Sequence, residues 1–129
     1  MQTVSTDRAP TPAGHYSQGI VSGGFVYVAG QLPIDPATGA IPDGIDAQAL
    51  RALQNVQAIL EAGGSSVRGL VSVQLFIVGI ERWPDINRVY AAFLGDHRPA
   101  RTVVPVPELH HGALIEINAV AEVHAHNEG

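Results

Sequence analysis

Two stretches of this chain repeat their apolar residues with a helical period, against five that read as strand, and this imbalance constrains the fold more than any single motif. From Asp46 to Ala62, "DAQALRALQNVQAILEA", the apolar residues Leu50, Leu53, Val56, Ile59 and Leu60 recur at three- and four-residue steps. Asp46 is the expected N-cap and Gly63-Gly64 the stop. A second helix is expected over about Trp83 to Phe93, opened by Pro84 in its first turn and closed by Gly95. The strand-like runs are Tyr16 to Val21 and Phe25 to Gly30, joined as a hairpin at Ser22-Gly23-Gly24, then Leu70 to Val78, Ala100 to Val106 and Ala113 to Val123. The order β, β, α, β, α, β, β predicts an α+β layer in which two helices pack on one face of a mixed sheet. Two helices cover one face only. The other face, with its valines and isoleucines, requires a partner surface, and the simplest source is another copy of the chain.

Length suits one domain, 1–129, with 1–14 as an extended leader, since Pro10 and Pro12 forbid a regular helix there, and with 125–129 as a frayed tail. The segment "DPATGAIPDG" is turn chemistry and predicts an exposed loop between the hairpin and the first helix. Only 15% of residues are charged and 46% are apolar, a balance that fits a surface partly covered by another subunit. The formal net charge is -5 and no basic block occurs, which argues against a nucleic-acid surface. No cysteine is present, so disulfides, thiolate nucleophiles and Cys-ligated metals are excluded. All 7 cationic side chains are arginines, so no lysine Schiff base can form. The sequence contains no 18-residue apolar run and no charged n-region followed by an apolar core. The expectation is a soluble cytoplasmic protein without membrane contact.

Two charges stand out in "RPARTVVPVPELHHGALIEINA". Arg101 opens a strand, where an arginine is either a solvated edge residue or a planar donor whose fork suits a carboxylate. Glu116 shares a strand face with Leu114 and Asn118, opposite Ile115 and Ile117, which a half-solvated strand explains without any chemistry. Six histidines raise the question of a metal. His110 and His111 are adjacent, so on a strand they would point to opposite faces and chelate poorly unless they lie in a loop, which the preceding "PVPEL" allows; His124 and His126 could share a face but lie at the end of the chain. No carboxylate or cysteine completes a recognisable ligand spacing, and no metal site is expected. His15 beside Tyr16 is placed to titrate at a site mouth, though a lone loop histidine is more often plain surface.

From about residue 6 to 124 the chain resembles the RidA/YjgF family, also labelled endoribonuclease L-PSP. The likeness rests on "AGHYSQGI", "VAGQLPIDPATGAI", "QALRALQNVQAILEAGGSS", "INRVYAAF", "PARTVVPVPEL" and "ALIEINAVA". The resemblance implies a chorismate-mutase-like fold assembled as a homotrimer around a central sheet barrel, with active sites in the clefts between subunits. It implies hydrolytic deamination, without a cofactor, of reactive enamines and imines such as 2-aminoacrylate and 2-iminopropionate to a 2-keto acid and ammonia. By the same likeness Arg101 binds the substrate carboxylate and Glu116 positions water. Tyr16 lines the pocket, Gly30 offers backbone groups to the imine, and Asn87 occupies a position the family usually keeps as Asn.

The chain departs from the family at several of these stretches. His15 replaces the proline before the motif tyrosine, Leu109-His110-His111 stands for Leu-Pro-Lys, and Asn118 replaces a second glutamate. A lysine common in the central strand is Ser72. These changes bear on substrate preference more than on the reaction. Two other functional classes remain open at this point. A trimer that binds or senses small keto acids without turnover would use Arg101 but not Glu116. An endoribonuclease would have to work with Arg98, Arg101 and the adjacent histidines against an unfavourable net charge.

Overall fold

In the computed structural model, which describes residues 1–124, the central element is β6 (Ile115–Glu122), whose strict alternation buries Ile115, Ile117, Ala119 and Ala121 on one side. Period-two alternation is what a strand with one covered face requires. Around it lie β1 (Gln2–Val4), β2 (Gly19–Ser22), β3 (Phe25–Gln31), β4 (Leu70–Val78) and β5 (Ala100–Val106), in the order β1-β2-β3-β6-β4-β5. All neighbouring pairs are antiparallel except β4 and β5. That parallel pair needs a crossover, and α2 (Trp83–Leu94) supplies it. The first helix, α1 (Ile45–Ala62), joins β3 to β4.

The α+β layer expected from the pattern is therefore the one observed, and β4 and β5 begin and end where the pattern put them. Ser22 pairs with Phe25 across Gly23 and Gly24, both at positive φ (61° and 88°), the backbone a two-residue hairpin turn demands. The loop after β3 closes on itself, with the Asp35 amide donating to the Ala40 carbonyl at 2.8 Å and Asp35 Oδ1 accepting from Ala37.

One local expectation needs correction, that of the first helix cap. Part of the extended leader is paired. Gln2–Val4 adds an edge strand along β2, and the buried Gln18 side chain ties 6–10 down by donating to Thr6, Ala9 and Pro10 carbonyls and accepting from the Thr6 amide. Asp46 is not the N-cap, a place taken by Gly44; it lies in the first turn of α1 and pairs with Arg88 of α2 at 3.1 Å, where the helix dipole also favours a carboxylate. The expected frayed tail, with His126, lies outside the described residues.

Both helices pack on the same side of the sheet. Ile59 and Leu60 of α1 and Ile86 of α2 are fully buried against Val26, Val73, Leu75, Ile77, Ile115 and Ile117. Each such aliphatic side chain contributes roughly 1.5–3 kcal/mol, so truncating Ile59 to Ala should cost about 2–5 kcal/mol. The isoleucines expected on the uncovered face thus lie on the covered one. The open face carries Tyr27, Phe76, Val104 and Val120 among polar residues such as Gln74 and Asn118, with Tyr27 still 47% exposed. No described helix is long and apolar enough to cross a membrane.

Candidate functional site

Arg101 and Glu116 do not meet within one chain. Arg101 pairs in register with Val73, which faces the helices, whereas Glu116 pairs with Phe76 on the open face. They sit on strands separated by β4, three residues out of step and on opposite sides of the sheet. Strand spacing alone separates their backbones by ~10 Å laterally. The two charges expected to cooperate belong to two different concavities.

The first concavity lies on α2. Trp83, Asn87 and Tyr90 fall at i, i+4 and i+7, so they form one stripe along the helix surface. The Arg101 guanidinium lies across this stripe, 4.7 Å from the Trp83 ring centre and 5.2 Å from that of Tyr90. Its Nη1 donates to Asn87 Oδ1 at 3.0 Å. Such contacts orient the fork and hold its charge at the surface without neutralising it. The Tyr90 hydroxyl is buried with no hydrogen-bond partner among the described residues, and burial pushes its phenol pKa up while Arg101 pulls it down. Leu94, His97 and Arg98 complete the rim. Asn87 was anticipated from the sequence. Trp83 and Tyr90 were not, although their spacing around Asn87 was the available signal.

The second concavity, of about 420 Å³, holds Glu116. Its position depends on a bulge. From Val28 to Gln31 the third strand advances three residues while β6 advances two, Ala119 to Ile117, so the extra residue falls at Ala29-Gly30. Gly30 there lies against the acid. A Cβ at position 30 would fall 2.8 Å from Glu116 Oε2, a contact no ordinary side chain tolerates. Tyr16 folds in through a tight turn in which its amide donates to the Gly14 carbonyl at 3.1 Å. The ring lies 3.5 Å from where a Gly14 methyl would sit, and the side chain remains 53% exposed. The leader residues Pro10, Thr11 and Ala13 form one wall and Leu32 and Ile34 the floor. That floor is fixed by the fully buried Asn55, whose Nδ2 donates to the Leu32 and Ile34 carbonyls at 3.0 and 2.9 Å. His15, expected at the mouth, is exposed and does not line this concavity; the Gly14–Tyr16 turn gives the place to Tyr16.

His110 and His111 close the remaining side. They form a short 3-10 turn rather than the β-strand pairing that would split them to opposite faces. His111 has φ 61°, ψ 22°, the sole non-glycine at positive φ among the described residues. This backbone costs a residue with a Cβ roughly 1–2 kcal/mol. The second concavity is lined by His110, His111 and Glu116, but among the described residues no three such side chains are grouped so that they could hold a metal ion.

Residues 6–123 match the endoribonuclease L-PSP family. A RutC family protein of Pyrococcus horikoshii is 42% identical over 121 residues, spanning 93% of this chain and 96% of that protein. The 2-iminobutanoate/2-iminopropanoate deaminase of Salmonella typhimurium is 39% identical over 123 residues, covering 93% and 96%. Among solved structures, Escherichia coli TdcF with bound serine superposes with a TM-score of 0.92 at 37% identity, covering 97% of this chain and 100% of that one.

Proposed function

The chain belongs to the endoribonuclease L-PSP (RidA/YjgF) family, and from that premise we propose that it deaminates 2-imino acids by hydrolysis, at sites completed between copies of the chain. The observation that carries this reading is the division of the chemistry into two half-sites. A guanidinium suited to a carboxylate lies on α2, and a half-buried acid suited to managing a water lies behind the β3 bulge. Neither half is sufficient alone. The sheet face that holds Glu116 is also the face left open by the helices, so a second copy packed there, within a trimer, would bring its Arg101 edge to the first copy's Glu116.

In this arrangement Arg101 receives the substrate α-carboxylate through two parallel charge-assisted hydrogen bonds, with Asn87 keeping the fork in plane. The imine carbon is already electrophilic. Glu116 takes a proton from water as its oxygen bonds to that carbon and the C=N π pair moves to nitrogen. Glu116 passes that proton to the nitrogen, giving the carbinolamine; it then takes the hydroxyl proton and delivers it to the amine nitrogen as the C–N bond breaks, so that the C=O of the keto acid forms, ammonia leaves and the carboxylate is restored. Gly30 admits the substrate close to backbone and to Glu116, and Tyr16 shields the reacting carbon from bulk solvent. Positioning supplies much of the acceleration and proton transfer about 10²–10⁴-fold more. No step calls on a cofactor.

The test is a coupled assay in which a dehydratase generates 2-aminoacrylate and pyruvate release is followed with and without the protein. Acceleration that falls with Arg101→Ala and Glu116→Ala supports the reading. Binding of keto acids by Arg101 without any acceleration would instead make the cleft a receptor for small carboxylates.

A further inference from the structure

The His110-His111 turn takes no part in the chemistry above, yet both imidazoles line the concavity that holds Glu116. We propose that this turn is the side-chain recognition element of the cleft, selecting imino and keto acids whose side chain ends in a carboxylate; the proposal rests on the deaminase reading of the same cleft.

Three observations carry it. The first is backbone strain at a chosen residue. His111 occupies left-handed backbone followed by Gly112, also at positive φ (71°), a conformation uncommon for any residue other than glycine. A strained residue on a site wall points to use of its side chain. The second is that the turn closes on itself and is anchored where it leads into β6. The Ala113 amide donates to the His110 carbonyl at 3.2 Å, the buried Gln48 accepts from the Leu114 amide at 2.9 Å, and the Leu114 carbonyl accepts from Val78 at 3.0 Å. The imidazoles are thereby presented from fixed backbone. Their ring centres lie 6.1 Å apart and tilted by 55°, a separation that one carboxylate can bridge with an N–H donor to each oxygen.

The third observation is what else the wall offers. Apart from the histidines, its titratable groups are Glu116 and Tyr16, and it holds neither lysine nor arginine. A second substrate carboxylate is repelled from Glu116 and drawn to the imidazoles, which supply N–H donors. Leu32 and Ile34 form an apolar floor for the methylenes between. A substrate with only a methyl side chain would leave that rim unused.

The test compares two keto acids of equal carbon count, 2-oxoglutarate and 2-oxopentanoate, by titration calorimetry with the full chain. Wild type should bind 2-oxoglutarate about tenfold more tightly, the effect of one charge-assisted contact. The variant His110→Leu with His111→Asn keeps volume at one position and the left-handed preference at the other, and its melting curve checks that it folds. Its preference should fall to about one. The same ratio is read as kcat/KM for the imines that an amino-acid oxidase makes from glutamate and norvaline. Equal affinity in wild type, or a preference that survives the double substitution, overturns the assignment while leaving the deaminase reading intact. Failure of both keto acids to bind, with no acceleration of any imine, removes both.

Discussion

The two half-sites are built in opposite ways. The Arg101 platform consists of one helix stripe and one strand end, so its geometry follows from regular spacing alone. The Glu116 cleft is assembled from a leader, a bulge, a loop and a 3-10 turn, the leader held by the Gln18 side chain and the loop by that of Asn55. The comparison teaches that the carboxylate receptor is robust to local change, whereas the water-managing half depends on distant supports.

Predictions follow that difference. The largest effect is expected from Glu116→Gln, which keeps size and removes the base; kcat should fall roughly 10²–10⁴-fold with KM little changed. Arg101→Ala should act mainly through KM, and a matching fall in kcat alone would erase the distinction between the halves. Next, Gly30→Ala should lower kcat by about 10²-fold, because the new methyl at 2.8 Å displaces Oε2 of Glu116 and misplacement on the ångström scale has that consequence. A crystal structure of this variant with Glu116 unmoved would contradict the account. Gln18→Ala should destabilise the fold by about 2–3 kcal/mol, since it leaves several leader carbonyls without their donor, and should open residues 5–14 to proteolysis. No comparable sensitivity is expected around Arg101, where Trp83→Leu should raise KM only several-fold, the scale of a half-exposed cation–π contact.

The smallest effect concerns Tyr90. Burial raises its pKa, so the neutral phenol is the form the fold favours. Its contribution to stability is fully present below the ordinary phenol value of about 10 and is lost as pH rises through the raised value. Tyr90→Phe should therefore flatten the alkaline fall in melting temperature, and identical slopes would show that the hydroxyl finds a partner elsewhere.

Legibility in the sequence tracked the same division. The covered strands and both helices were readable because period 2 and period 3.6 report directly on burial, and Leu70–Val78 and Ala100–Val106 were placed to the residue. Gln2–Val4 was not readable, because three residues carry no period and their pairing depends on Gln18, more than a dozen positions away. The motif residues Arg101, Glu116, Tyr16, Gly30 and Asn87 were named through family likeness. Their distribution between opposite faces could have been argued from strand parity once the register was known, since Val73 and Phe76 differ by an odd number of residues. Register itself is a tertiary property, and the bulge at Ala29-Gly30 leaves no trace in hydrophobic pattern.

The central claim is that each active site takes Arg101 from one copy and Glu116 from the next, and it is tested most directly by mixing two impaired proteins and assaying at substrate far below the KM of Arg101→Ala, where each alone is nearly silent. Arg101→Ala and Glu116→Gln chains, co-expressed with different tags and purified as mixed trimers, should recover about a third of wild-type deaminase activity, since only one of the three interfaces in such a trimer joins an intact Arg101 to an intact Glu116. Activity no higher than that of either variant alone, in oligomers shown to contain both chains, would contradict the account.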